Sequence, residues 1–232
     1  MREGADEKFA PLIISHQFGL VFCVWVVYNG IRGRICLAIM ENGDVIMELK
    51  NFDKILERVP KMSRPMRVIL AGSDGENMLK GIFAAQEKGL VQPVLVGDRA
   101  RTITVLEQFG LEREPYTMVD TPPGHNITQE AIDIVNSGDG DVLMRGNIPT
   151  RDFLMPVLDK TNHLRTDRLM SHVSLASLPE YPKLLALSDM TVIIKPNLSQ
   201  KKEIIRNMAD ALKAFGYENP KFAILSLMEK VT

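Results

Sequence analysis

Several features that would settle the chemistry of a 232-residue chain are absent from this one. There are two cysteines, Cys23 and Cys36, and they make neither a CxxC pair nor a disulfide framework. The four histidines include no HxxxH pair, so a reducing cytoplasm and no bound metal are the expectation. With 28 Lys and Arg against 29 Asp and Glu the net charge is −1, and no overall basic field points to nucleic acid or an anionic membrane surface. No Walker lysine loop and no GxGxxG follows any candidate strand, which leaves nucleoside triphosphate hydrolysis and dinucleotide binding without direct support. Serine hydrolase chemistry lacks its GxSxG elbow, and neither a fixed-period repeat nor a low-complexity tract is present.

Long apolar runs are also scarce. The strongest, PLIISHQFGLVFCVWVVY from Pro11 to Tyr28, is broken by His16 and Gln17 and has no basic leader. It is too short and too polar for a spanning helix or a secretory signal, and no membrane association is expected. It reads as a buried strand pair or as an extension outside the main fold. Residues 1–46 are therefore set apart, and the functional fold is expected to begin around Glu41.

What is present is a regular alternation. NFDKILERV, from Asn51, has the spacing of a short amphipathic helix. MRVILAG (Met66 to Gly72) is an apolar run of strand length, followed by Ser73 and Asp74 as cap candidates and a helix from Glu76 that Gly89 ends. PVLVGD (Pro93 to Asp98) repeats the unit with a helix to Phe109. TMVD (Thr117 to Asp120) is a third strand, and Asn126 is placed to cap a helix to Asn136. A strand at Val142 to Met144, a helix from Thr150 and a strand ending on Ser171 and His172 come next. Then follow LLAL (Leu184 to Leu187), TVIIK (Thr191 to Lys195), a long helix from Ser199 to Phe215 and KFAILS (Lys221 to Ser226). Strands that are apolar throughout need helices on both faces, so the expected fold class is α/β, with a doubly wound, mostly parallel sheet. Residues 47–150 are read as a first α/β/α domain and 151–232 as part of a second.

The chemistry-bearing residues sit at strand ends. Arg145 precedes Gly146, where a small residue lets backbone approach a phosphate, and Thr150 can cap the following helix and donate its hydroxyl. An ordinary turn with a surface arginine explains the same residues. Ser171 and His172 can reach a substrate from a strand end, or the imidazole can be satisfied by a neighbouring carbonyl. Asp189, in LSDM, is either a turn former or a carboxylate aimed at the cleft.

Taken in order, LMRGNIPTRDFL, LRTDRLMSHVS and LPEYPKLLALSDMTVIIKPNLSQKKEIIRNMADALKAFGYENPKFAILSLMEKV resemble the phosphate acetyltransferase and butyryltransferase family, from about Asn51 to Val231. The resemblance implies transfer of a butyryl or similar short acyl group between coenzyme A and inorganic phosphate, without a covalent enzyme intermediate. Coenzyme A is then a substrate and no tightly bound cofactor is expected. The donors it nominates are the N–H groups of Gly146 and Asn147, the Arg145 guanidinium, and the Thr150 and Ser171 hydroxyls, with His172 and Asp189 as further catalytic candidates. It also implies a two-domain architecture like that of isocitrate and isopropylmalate dehydrogenases, with a cleft between the domains, and a homo-oligomer. Against that pattern the second domain reads as incomplete. The aspartate base expected in a GP..D segment has no counterpart, and Met155 stands where an arginine is common. The alternative is an inactive homologue that retains weak coenzyme A or phosphate binding.

Overall fold

The computed structural model describes residues 12–16, 22–26, 64–111, 115–177, 181–190, 192–215 and 217–225. The helix expected at Asn51 lies outside the described residues, as does Ser226.

The alternation produces the parallel units in the expected places. Strand β3 (Met66–Ala71) is followed by α1 (Glu76–Glu87), β4 (Val91–Gly97), α2 (Arg99–Phe109), β5 (Thr117–Asp120), α3 (Ile127–Asn136), β6 (Val142–Arg145) and α4 (Thr150–Leu158). Two earlier strands, β1 (Leu12–His16) and β2 (Phe22–Val26), come from the apolar run near the start. The sheet order is β2-β1-β6-β3-β4-β5, parallel everywhere except the β1–β2 pair. Thus the sheet takes strands from Leu12 onward, and of the two readings of that run the strand pair is the one observed.

Alternate residues of the central strands serve opposite faces, as the two-residue period of a strand requires. Val68 and Leu70 of β3 pack with Leu79, Ile82 and Phe83 of α1 and Leu106 of α2. Ile69 and Ala71 pack on the other face with Ala131, Ile132 and Val135 of α3 and with Phe153 and Val157 of α4. Each of these strands is buried on both sides, which is why it reads as a continuous apolar run.

Capping chemistry sets most helix starts. Asp98 accepts from Arg101 N at the head of α2, and Asn126 accepts from Thr128 N and Gln129 N at the head of α3. The caps expected at Ser73 and Asp74 fail. Gly75, without any side-chain bond, is the cap residue of α1, while Ser73 is buried and bonded through Oγ to Thr102 Oγ1 at 2.9 Å.

The second half departs more from expectation. The strand expected to end at His172 lies later, as β7 (Ser174–Ser177), and pairs antiparallel with β8 (Leu184–Leu187) in a two-stranded ribbon. The ribbon packs against α5 (Leu198–Ala214) in a separate small core of Val173, Leu175, Met208, Ala211 and Leu212. TVIIK and KFAILS form no strand among their described residues. Both have strand-like composition, but a strand exists only where a neighbour completes its ladder, and Ile194 and Leu225 are instead 90% and 87% exposed.

Candidate active site

In a doubly wound sheet the loops after two adjacent strands leave on opposite faces at one place, and a crevice opens there outside the carboxyl ends of the strands. Here that place lies between β3 and β6, since α1 covers one face and α4 the other. The turn after β3 is Gly72 to Gly75 and the turn after β6 is Gly146 to Pro149.

The two turns interlock through backbone. Gly146 N donates to Ala71 O at 2.7 Å, and Asn147 N donates to Gly72 O at 2.8 Å. A Cβ on Gly146 would lie 2.1 Å from Gly72 O, so no larger residue fits. Gly72 has φ of 82°, a left-handed conformation that favours glycine. These bonds correct the expectation for Gly146 and Asn147. Their N–H groups are engaged within the clasp, and Gly146 is small because two strands meet there.

The groups at this crevice left without a side-chain cap are the helix ends instead. α2, α3 and α5 are capped by the side chains of Asp98, Asn126 and Asn197. α1 and α4, capped by Gly75 and Pro149, have no side-chain cap bond, and these are the two helices that start at the crevice. The turns are close, because a Cβ on Gly75 would lie 3.4 Å from Asn147 Cβ. An uncapped helix start offers N–H groups and the positive end of the helix dipole to an anion. Thr150 is the first helical residue of α4 rather than its cap, and it is exposed beside these groups.

Arg145 leaves the end of β6 half-buried, with Nη1 donating to the Ile148 carbonyl at 2.6 Å. Burial lowers its pKa from the ordinary value, yet a guanidinium keeps its proton throughout the physiological range. Met155 lies on α4 with 59% exposure.

Ser171, His172 and Asp189 come together, but inside the protein. Ser171 and His172 are each 2% exposed. Asp189 Oδ2 accepts from His172 N at 3.2 Å and Oδ1 accepts from Val192 N at 2.9 Å, so the carboxylate pins the loop after β8 to the segment before β7. His172 Nε2 is 3.0 Å from Ser174 Oγ. Burial lowers the His172 pKa and outweighs the opposing pull of Asp189, which leaves a neutral imidazole at pH 7. Ser171 Oγ accepts from Nδ2 of Asn207, a fully buried residue of α5 that also donates to Leu169 O at 2.7 Å. The expectation that Ser171 and His172 present themselves from a strand end is therefore corrected: they lie in an irregular buried segment clamped by α5. Sequence reading missed Asn207, because a polar residue in an amphipathic helix carries no sign of burial. It also passed over the GSDG turn after β3, for which two glycines at a spacing of three directly after a strand were the available signal.

Among the described residues no group of His, Cys, Asp and Glu is arranged to hold a metal ion, and no helix is long and apolar enough to cross a membrane.

Comparison with known proteins places this geometry in context. Residues 123–231 match a family model described as phosphate acetyl/butaryl transferase. The chain is 30% identical over 183 residues to the phosphate butyryltransferase of Clostridium acetobutylicum, covering 79% of this chain and 60% of that protein. It is 31% identical over 181 residues to the phosphate acetyltransferase of Rhizobium meliloti, covering 78% and 57%. Among solved structures, a branched-chain phosphotransacylase from Enterococcus faecalis V583 shares the fold with a TM-score of 0.58 at 23% identity, over 72% of this chain and 58% of that one. The chain thus spans about 60% of the length of the first of these curated relatives.

Proposed function

We propose that this chain, whose residues 123–231 match the phosphate acetyl/butaryl transferase family model, moves a butyryl or similar short acyl group between coenzyme A and inorganic phosphate. The observation that supports this most directly is the pair of uncapped helix starts, α1 and α4, facing one crevice beside Arg145. Phosphate needs several fixed donors at once, and the turns at this crevice carry helix N–H groups, the Thr150 hydroxyl and a guanidinium that could supply them.

The chemistry follows from that placement. In the direction of acyl-CoA synthesis, the thiol of coenzyme A loses its proton and the sulfur attacks the carbonyl carbon of the acyl phosphate. The carbon–oxygen bond to phosphate then breaks, and inorganic phosphate leaves with the bonding pair. Donors around the crevice stabilise both the tetrahedral oxyanion and the departing phosphate, and loss of one such donor costs roughly 2.7–4 kcal/mol of barrier. In this reading Arg145 and Thr150 hold the phosphate. Ser171, His172 and Asp189 act only when the buried segment 169–173 opens toward substrate, the neutral imidazole then being suited to accept the thiol proton. The finer architecture is read as dehydrogenase-like and two-domain, with β7, β8 and α5 contributing to the second domain, whose separate small core supports the division.

Purified chain mixed with butyryl-CoA and phosphate is expected to release free thiol, with arsenate accepted in place of phosphate. No release above the uncatalysed rate would reject activity for this chain. The second reading, an inactive homologue that still binds coenzyme A or phosphate, is favoured by the burial of Ser171 and His172. Calorimetry with each ligand separates the two.

A further inference from the structure

Beside the crevice, the carboxyl ends of β4 and β5 enclose a recess of about 450 Å³ that the phosphate chemistry leaves unused. Its lining includes Asp98, Arg99, Ile103, Asp120, Thr121 and Pro122. We propose that this recess binds a free amino acid with an apolar side chain, its ammonium group held by Asp98, Asp120 and Thr121 and its carboxylate by Arg99. Neither phosphate nor coenzyme A carries an ammonium group, so the inference stands apart from the acyltransferase reading.

Sheet register brings the acidic groups together. β4 and β5 run parallel with Gly97 opposite Asp120, so Asp98 and Asp120 stand at the ends of neighbouring strands, which are about 4.8 Å apart in a sheet. Thr121 N donates to Gly97 O at 3.0 Å, which ties the following residue to the same place. Asp98 Oδ1 accepts from Arg101 N at 2.9 Å and Asp120 Oδ1 accepts from Arg99 N at 3.0 Å. Both bonds engage N–H groups at the start of α2. This helix end, unlike those of α1 and α4, therefore faces carboxylates already and has little to offer an anion.

Each carboxylate is oriented by one oxygen, and the other retains acceptor capacity. Asp98 Oδ2 lies 3.7 Å from Arg101 Nε, beyond hydrogen-bonding distance. The third acceptor is Thr121. It is 4% exposed and lines the recess, and its Oγ1 is buried with no hydrogen-bond partner among the described residues. A buried hydroxyl without a partner is costly, so a donor that enters the recess is favoured there. An ammonium group has three donors and no acceptor, which matches two carboxylate oxygens and one hydroxyl.

Arg99 supplies the opposite sign. It is exposed at the recess, and its Nη2 donates to Met118 O at 3.4 Å, a long bond that engages one arm of the guanidinium. A carboxylate is the group that a guanidinium fork takes in two parallel bonds. Carboxylates and a guanidinium around one recess thus suit a ligand with both signs of charge, whereas a sugar would leave the Arg99 cation unmatched. Ile103 and Pro122 form an apolar wall for the ligand's side chain.

The test is calorimetry on the whole chain with L-leucine, and with isoamylamine, isocaproate, adenosine and inorganic phosphate for comparison. Leucine is expected to bind. Isoamylamine, which lacks the carboxylate, and isocaproate, which lacks the ammonium, are each expected to bind about tenfold more weakly, as loss of charged hydrogen bonds predicts. Asp120→Asn keeps the acceptor for Arg99 N and turns the other oxygen into a donor, so it is expected to weaken leucine about tenfold and to leave phosphate unchanged. Arg99→Gln keeps the backbone N–H at the helix start and is expected to weaken leucine about tenfold while leaving isoamylamine unchanged. Thr121→Val, of similar shape, is expected to weaken both amines, and circular dichroism checks that the three variants are folded. Leucine that fails to bind at millimolar concentration, or binds wild type and variants equally, overturns the proposal. Adenosine that binds in place of leucine, and is weakened by Asp120→Asn, would assign the recess to vicinal hydroxyls and overturns it as well. Thiol release bears on the acyltransferase reading alone, so either conclusion can fall without the other.

Discussion

Replacing Gly146 by alanine tests whether the clasp between β3 and β6 is built as described. The added Cβ would lie 2.1 Å from Gly72 O and 2.9 Å from Ala71 O, where ordinary contact begins at 3.4 Å. Both oxygens belong to backbone, so no rotamer change relieves the clash. The end of β6 must retreat, and the same movement stretches the bonds from Gly146 N to Ala71 O and from Asn147 N to Gly72 O. Overpacking of this kind costs about 1–3 kcal/mol, and each weakened bond adds about 0.5–1.5 kcal/mol. The expected loss is thus about 2–6 kcal/mol, a large share of the total stability of a typical domain. Urea unfolding followed by far-UV circular dichroism reads it directly: the midpoint is expected to fall by about 1 M or more, given the usual slope of about 1–3 kcal/mol per molar. Gly81 supplies the control, because it lies in α1 with nothing within 4 Å of a built Cβ. Alanine there is expected to raise stability by about 0.5–1 kcal/mol, the helix-interior difference between the two residues. A Gly146→Ala protein as stable as wild type would refute the clasp, and a fall at both positions would show that the assay reports something other than local fit.

The remaining predictions concern charge and the site. Asp141, whose side chain is 9% exposed, accepts from Arg64 Nη1 at 2.6 Å, from Arg67 N at 2.8 Å and from Arg67 Nη2 at 3.1 Å. Burial raises its pKa, but the bonds from Arg64 and Arg67 outweigh that and hold the carboxyl well below the usual range. Its contribution is present in full above the ordinary carboxyl pKa of about 4 and is lost as the pH falls below it. Asp141→Asn, discounted because Arg64 is half exposed, is expected to cost about 1–2 kcal/mol at pH 7 and to flatten acid unfolding. His172, with its pKa lowered by burial, is neutral in the fold, and the unfolded chain takes up its proton first as the pH drops. Stability is therefore expected to decline below about pH 6.5, and His172→Gln to reduce that slope between pH 7 and 5 in urea midpoints. Arg145→Gln is expected to weaken phosphate binding about tenfold or more by calorimetry, with the far-UV circular dichroism unchanged. Ile194, Leu198, Ile224 and Leu225 are exposed, so light scattering is expected to give a mass above the 26.0 kDa of one chain, and a monomer would contradict that.

By itself the sequence determined the parallel units. Apolar runs such as Val68 to Ala71 and Val94 to Val96, with Asn126 before α3, specify strand and helix locally, because burial on both faces and a capping side chain leave a pattern in the adjacent residues. The positions of Arg145 at the end of β6 and Thr150 at the start of α4 were legible on the same ground, since a strand followed by a helix start is a local arrangement. Tertiary structure decided everything that depends on a distant partner. TVIIK and KFAILS had the composition of strands and found no ladder among the described residues, whereas Ser174 to Ser177 became a strand because Leu184 to Leu187 lies beside it. Ser171 and His172 looked presentable and are buried, because Asn207 and Asp189 reach them from 36 and 17 positions away. The N–H groups of Gly146 and Asn147 looked available and are spent on Ala71 and Gly72. Hydrogen bonds between positions far apart in the chain are set by packing, and no local pattern of residues records them.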